Sequence, residues 1–284
     1  NKQIIIHGSE LIKNWEKSTK YENLWKTTYS DSIDQLFVGD HRATLCRLPK
    51  SYKRARFYGY ETQEDPTNSS YLLRILYVQT DCIEMLKKMT PEELSISEVV
   101  VHYWWYTDVM KIIRFDEEKK YIVTRVLKND EHENEKISET SYFYIQGANT
   151  AITEQGEYYH HPDGTLYYYP LSDEDMKTIN VYIPKTQHAF TSYAFHNLII
   201  QNLNFNYLND AITGAEFNNL LVYNCEFKHV KSAVFIYGAH NSQIDHCFIE
   251  DTANTGLYFS GHNFTVQNCI IRNVGVIPPY GFAI

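Results

Sequence analysis

Nowhere in its 284 residues does the chain hold a run of 18 apolar residues, which excludes a membrane-spanning helix. The opening residues, "NKQIIIHGS", carry no secretory leader pattern and read directly as a strand. Cysteine is scarce: five residues, an odd number, without the spacing of small secreted domains, which argues against a disulfide framework. Positive charge is in deficit, with 26 Lys and Arg against 35 Asp and Glu and a net charge of −9. A polyanion would be repelled overall, so a nucleic-acid partner is not expected. The one basic cluster, "KSYKRAR" at 50–56, reads as a solvated loop. No Gly/Ser/Pro-rich linker separates two halves. Nucleophile elbow, phosphate loop and zinc signature are all missing.

What is present is a globular composition, 43% hydrophobic and 21% charged. Aromatic residues reach 15%, driven by 24 tyrosines. Exposed aromatic rings suit a surface that stacks on the flat faces of sugars. Tyrosine is also a strand former, so both readings stand at this point.

The last third repeats. "HNLIIQNLNF" (196–205), "NNLLVYNCEF" (218–227), "NSQIDHCFIE" (241–250) and "NFTVQNCIIR" (263–272) are four copies of one pattern at a 22-residue offset. Ile200, Val222, Ile244 and Val266 coincide, as do Asn202, Asn224, His246 and Asn268. Leu203 aligns with Cys225, Cys247 and Cys269, and Phe205 with Phe227, Ile249 and Ile271. Short alternating strands broken by Asn, Gly and Ser, with no 3.6-residue period, predict a parallel β-helix with one coil per copy. Equivalent side chains on successive coils would stand about 4.8 Å apart with parallel Cβ vectors. That geometry suits neither a disulfide nor a tetrahedral zinc site, so the cysteine column is expected to be core packing. The asparagine column is expected to pass amide hydrogen bonds from coil to coil as a ladder, with His246 as a structural donor.

Residues 1–190 lack that period. "QIIIHG" (3–8), "QLFVGDHRATLCRLP" (35–49), "SEVVVHYWWY" (97–106), "YIVTRV" (121–126) and "INVYIP" (179–184) read as strands. "TDCIEMLKKMTPEEL" (80–94) reads as one short helix with a loop behind it, and "KNDEHENEK" (128–136) as an exposed charged loop. "GEYYHHPDGTLYYYP" (156–170) reads as a hairpin turning on Pro-Asp-Gly. The expected division is therefore early coils with an inserted β-rich, sandwich-like subdomain over 1–190, and regular coils over 191–284.

On "QLFVGDHRATLCRLPK", "YFYIQGANTAITEQGEYYHHPDGTLYYYP" and the Asn/Cys-rich coils, the sequence resembles a group of bacterial carbohydrate-active enzymes. These are right-handed parallel β-helix proteins that include glycoside hydrolases of the fucosidase, xylosidase and galactosidase kinds. The resemblance implies an all-β fold, a polysaccharide or oligosaccharide substrate, and a secreted, periplasmic or cell-surface location. Members are typically longer, with catalytic carboxylates in later coils. The end at "YGFAI", in mid-strand, implies a fragment or a shortened relative that associates through an open last coil.

Glycoside hydrolysis needs two carboxyl groups about 5–5.5 Å apart for retention or about 6.5–9.5 Å for inversion. In the coils Asp210, before the strand at 211–213, and Asp251, taken to lie in the equivalent loop two coils later, are the candidate catalytic acids. If Val234, Ile236, Leu257 and Phe259 point inward, Phe235, Tyr237, Tyr258 and Ser260 point outward. Tyr237, Tyr258, His240 and His262 are then candidate saccharide-binding residues, unless the inserted subdomain covers that face. His160 and His161, adjacent on a strand, point to opposite faces and cannot share an ion, and no metal or cofactor is expected. A polysaccharide lyase, with Ca²⁺ in attendance, is the alternative, although the only lysines of the regular coils are Lys228 and Lys231. A non-catalytic glycan-binding or structural β-helix is the third reading.

Overall fold

The computed structural model describes residues 4–50, 55–103, 107–128 and 141–277, and these form two compact units. One gathers the described residues of 1–13, 33–42 and 180–284, the other those of 14–32 and 43–179. The units therefore interleave along the chain. The reason is pairing at long range. Ile4–His7 joins the coils by pairing in parallel with Leu203–Asn206. Ser9–Ile12, Val181–Pro184, Phe37–Val38 and His41–Arg42 form a four-stranded sheet in the same unit.

The coils are a parallel β-helix. Ile200 pairs with Val222, Val222 with Ile244 and Ile244 with Val266, each step 22 residues. One stretch departs from that count. Val234 and Ile236 stand opposite Leu257 and Phe259, an offset of 23, and the register returns to 22 at Ala239 and Gly261. The stretch between Thr252 and Leu257 thus holds one residue more than that between Val230 and Val234, and the register recovers around Gly238, which turns with φ of +69°.

Three corners recur in all four copies of the repeat and a fourth precedes the first three copies, and each is a residue at positive φ. Asn197, Asn219, Asn241 and Asn263 make one column, with φ from 49° to 63°. Asn202, Asn224, His246 and Asn268 make the next, and Tyr207, His229, Asp251 and Asn273 the third. Ala194, Glu216 and Gly238 make the fourth. Asparagine tolerates this left-handed region better than most residues because its short amide can bond locally. Amides also bond between coils: Asn224 Nδ2 donates to Asn202 Oδ1 at 2.7 Å and Asn219 Nδ2 to Asn197 Oδ1 at 2.7 Å. At His246 the second column is bridged sideways, since His246 Nδ1 lies 2.7 Å from Asp245 Oδ1, which also accepts from Asn268 Nδ2 at 2.9 Å.

Inside run continuous apolar columns. Phe205 and Phe227 stack with ring centroids 4.9 Å apart. Cys225 and Cys247 are buried free thiols in that core, and Cys269 packs at its edge. The neighbouring Cys225 sulfur and burial push the Cys247 thiol up, away from reactive thiolate. The glycines of the outer strand mark close approach between coils. A Cβ on Gly214 would lie 2.1 Å from the Ser192 carbonyl oxygen, and one on Gly261 2.0 Å from that of Ala239.

The second unit centres on a ring of six antiparallel strands. Glu98–His102, Thr107–Asp116, Tyr121–Leu127, Tyr71–Val78, Ala55–Glu64 and Tyr142–Gln146 pair in that order, and the last closes on the first. The β-rich subdomain is thus a closed barrel, and closure removes the open edges of its sheet. Its interior holds Leu76, Val99, Val101, Met110, Ile122 and Phe143. The single helix expected over 80–94 is two, Thr80–Leu86 and Pro91–Ile96. Pro91 cannot sit in a helix interior, and Thr90 with Glu93 forms a capping box that starts the second helix. The hairpin is Glu157–His160 with Thr165–Tyr168, its turn fixed by Gly164 at φ +88° and by Thr165 N donating to Asp163 Oδ1 at 2.8 Å. Within the same unit Lys50 and Glu157 form a buried ion pair at 2.6 Å. Residues 51–54 of the basic cluster, 129–140 of the charged loop and 278–284 lie outside the described residues.

Candidate functional site

Two regions of the β-helix gather chemistry, and the parallel register builds both. The first is the outward face of the sheet that starts with His188–Tyr193. Val234, Ile236 and Leu257 are fully buried, so the alternation turns Phe235, Tyr237 and Tyr258 outward. Phe235 and Tyr258 stack at 4.6 Å and 17°, spending their faces on each other. Tyr237 lies 5.3 Å from both, at 80° and 67°, and is 52% exposed. Tyr237 thus sits across the stacked pair while half of it stays in solvent.

His240 and His262, equivalent by register, also meet. Their rings lie 4.1 Å apart and His262 N donates to His240 Nδ1 at 3.3 Å. Asp210 stands on the same sheet as the aromatic rings. His188 is its register partner, and His188 Nδ1 lies 3.5 Å from Asp210 Oδ2 and 3.3 Å from Thr213 Oγ1. Thr213 in turn pairs with Phe235. A polar group of imidazole, carboxylate and hydroxyl therefore borders the aromatic rings.

The second region is the third corner. Asp251 is not the register equivalent of Asp210, whose partners are His188 and Ser232. The 22-residue step puts Asp251 beside His229 and Tyr207 instead, because Lys228 pairs with Glu250 and Val230 with Thr252. Counting two steps from Asp210 reaches Asn254, a sum available from the sequence itself. His229 Nδ1 lies 2.6 Å from Asp251 Oδ2, and its ring is sandwiched by Tyr207 at 5.0 Å and Phe37 at 5.1 Å. Arg42 Nε donates to Asp251 Oδ1 at 2.9 Å, another guanidinium nitrogen donates to the Asp251 carbonyl at 2.7 Å, and a third reaches Gln35. Asp40 closes the group, accepting from Lys228 at 3.0 Å and from the Tyr207 hydroxyl at 3.2 Å, with His229 Nε2 at 3.4 Å.

Burial alone would raise the Asp251 carboxyl, but the hydrogen bond from His229 and the charge of Arg42 hold it below the usual carboxylate range. The Lys228 ammonium, hydrogen-bonded to Asp40, holds that carboxyl low as well. An ionised acid bound on both oxygens cannot donate a proton to a leaving group. Chemically the corner is a network of satisfied charges, and Asp251 is one member of it.

Elsewhere the adjacent histidines part company: His160 Nε2 lies 2.8 Å from the Tyr29 carbonyl, while His161 faces Asp163 at 3.0 Å. Among the described residues no group of three or more His, Cys, Asp or Glu could hold a metal ion. No helix among them is long and apolar enough to cross a membrane.

Comparison with known proteins places these features. A family model described as "Right handed beta helix region" matches residues 171–284, which fixes the hand of the coils. No curated protein matches the chain. A solved structure titled "Glycoside hydrolase" matches with a TM-score of 0.68 at 17% identity, covering 92% of this chain and 54% of that one. The chain thus spans about half the length of that solved protein, and at this identity the likeness is one of fold.

Proposed function

We propose that this right-handed β-helix is carbohydrate-active and that it serves the hydrolysis of glycosidic bonds in a complex polysaccharide. The observation that carries the reading is Tyr237, half exposed and set across the Phe235–Tyr258 stack on the outward face of a parallel coil sheet. Flat apolar rings beside hydroxyl, imidazole and carboxylate groups match a pyranose, which has apolar faces and a polar rim. The shared fold with a glycoside hydrolase supports the reaction class. In this reading Tyr237 binds the glycan, Tyr258 backs it from the Phe235 stack, Asp210 lies on the same face, and Asp251 supports the fold. Carboxylate acid/base hydrolysis calls for no metal or cofactor. A polymeric substrate suits a secreted, periplasmic or cell-surface location.

A lyase would require cations to neutralise a uronate. On the coils Lys228 is taken by Asp40 and Arg272 by Glu250, at 3.0 Å and 2.7 Å. The test is incubation of the purified chain with a panel of plant, algal and bacterial polysaccharides. Co-sedimentation reads binding, and new reducing ends without unsaturated uronates read hydrolysis. Binding with reducing ends is expected. Unsaturated uronates would point to a lyase, binding without new ends to a glycan-binding module, and the lack of both would overturn the reading.

A further inference from the structure

The register brings together one more feature of the outward face. Tyr193 pairs with Ala215, and Ala215 pairs with Tyr237. Two exposed tyrosines, at 75% and 52%, therefore stand one coil to either side of an alanine. Two coil steps separate their backbones by roughly 9–10 Å. A pyranose held between two aromatic faces needs about 7–8 Å between ring planes, one contact of about 3.5–4 Å on each side. The tyrosines can reach that spacing by a small inward lean, and the alanine methyl leaves the floor clear.

The polar end of the slot is as specific as its walls. Thr213 lies two residues before Ala215 and so faces the same way. Its hydroxyl meets His188 Nδ1, and Asp210 meets the same nitrogen. With Nδ1 occupied, His188 presents Nε2, which has no hydrogen-bond partner among the described residues, from a side chain 42% exposed. At the other end Glu216 turns the corner beside Ala215, its carboxylate close to Gly238. Along the strand Asp210 and Glu216 are six residues apart, roughly 20 Å, too far to act as a hydrolytic pair. They can, however, accept hydrogen bonds from hydroxyls and repel an anionic sugar from both ends.

We propose that Tyr193, Ala215 and Tyr237 form a slot that sandwiches one pyranose ring of a neutral glycan, with Thr213 and His188 reading its hydroxyls and Asp210, beyond them along the strand, repelling uronates. The inference rests on the carbohydrate-active reading and names its sugar class. Its test is calorimetric titration of the full chain with neutral oligosaccharides of glucose, xylose and mannose, and with oligogalacturonate. Tyr193→Ala and Tyr237→Ala are each expected to weaken neutral binding about tenfold, the loss of one aromatic contact. Ala215→Leu fills the slot and abolishes it. Asp210→Asn is expected to admit oligogalacturonate that the wild type rejects. Tyr58→Ala, at a ring 75% exposed in the barrel unit, serves as the control and leaves affinity unchanged.

If the wild type binds neutral glycans and the slot variants match it within twofold, the slot is wrong and the broader reading stands. Wild-type binding of oligogalacturonate as tight as that of neutral glycans contradicts the charge selection. A wild type that binds no glycan at all overturns the carbohydrate reading itself.

Discussion

The third corner, at Tyr207, His229 and Asp251, and the outward face, at Tyr193, Ala215 and Tyr237, come from the same 22-residue step, and they end in opposite states. At the corner, Tyr207, His229 and Asp251 take positions of a kind that the first and second columns fill with asparagine almost throughout, and each is held at positive φ. Bulky residues in that region carry a local cost. Here it is offset by a filled network that ties Gln35, Asp40 and Arg42 to the coils. On the outward face the same step lines up Tyr193, Ala215 and Tyr237 with their rings in solvent. Polar groups matched to one another confer stability. Rings and polar groups left open are available to a ligand.

The sharpest way to break this contrast is Arg42→Met. It leaves the Asp251 carboxylate half-buried without its guanidinium, and urea unfolding is expected to show a loss of about 3 kcal/mol. A loss below about 1 kcal/mol would mean that the corner is no more than surface charge. Next comes Gly214→Ala, whose methyl would meet the Ser192 carbonyl oxygen at 2.1 Å and the Phe217 ring at 2.5 Å. Coil spacing cannot yield that much, so thermal unfolding should register a cost of about 2 kcal/mol.

Acid sharpens the comparison further. The Asp251 and Asp40 carboxyls are held low in the folded state. Their contribution is therefore present above the unfolded carboxylate value, about 3.9, and is lost as pH falls through the folded one. Wild-type stability should drop below about pH 4, with a shallower drop in Asp251→Asn. Identical acid profiles would remove the corner from the account. Smallest of all is Tyr237→Ala, for which the exposed ring should cost no more than about 0.5 kcal/mol of unfolding free energy.

The legibility of the chain follows the same division. The coils were readable because a fixed offset repeats in sequence what stacks in space: Val222 over Ile244 over Val266, and Cys225 over Cys247. The same arithmetic contained His188 and Tyr193 as partners of Asp210 and Ala215, but both precede the clearest copies, where side-chain pattern is weak. Asp251 shares with Asp210 only its place in a loop between strands, and the 22-residue count leads from it to His229. The barrel left fewer signs. Tyr71–Val78 is buried on both faces, with Leu76 towards the barrel core and Leu73 and Ile75 on the other side, so its apolar run shows no period. Fully buried Arg74 interrupts it, bonded to Tyr103 at 2.7 Å and to Asp108 at 3.3 Å. The ring also needs Ala55–Glu64 to pair with Tyr142–Gln146, distant segments that no local pattern brings together.

One paired measurement tests the central claim most directly: unfolding free energy and affinity for a neutral oligosaccharide, determined side by side for the wild type, Arg42→Met and Tyr237→Ala. The account predicts a crossed result. Arg42→Met loses about 3 kcal/mol of stability and, while folded, keeps its affinity, whereas Tyr237→Ala keeps its stability and binds about tenfold more weakly. Contradiction would come from Tyr237→Ala binding as the wild type does, or from Arg42→Met losing affinity without losing stability.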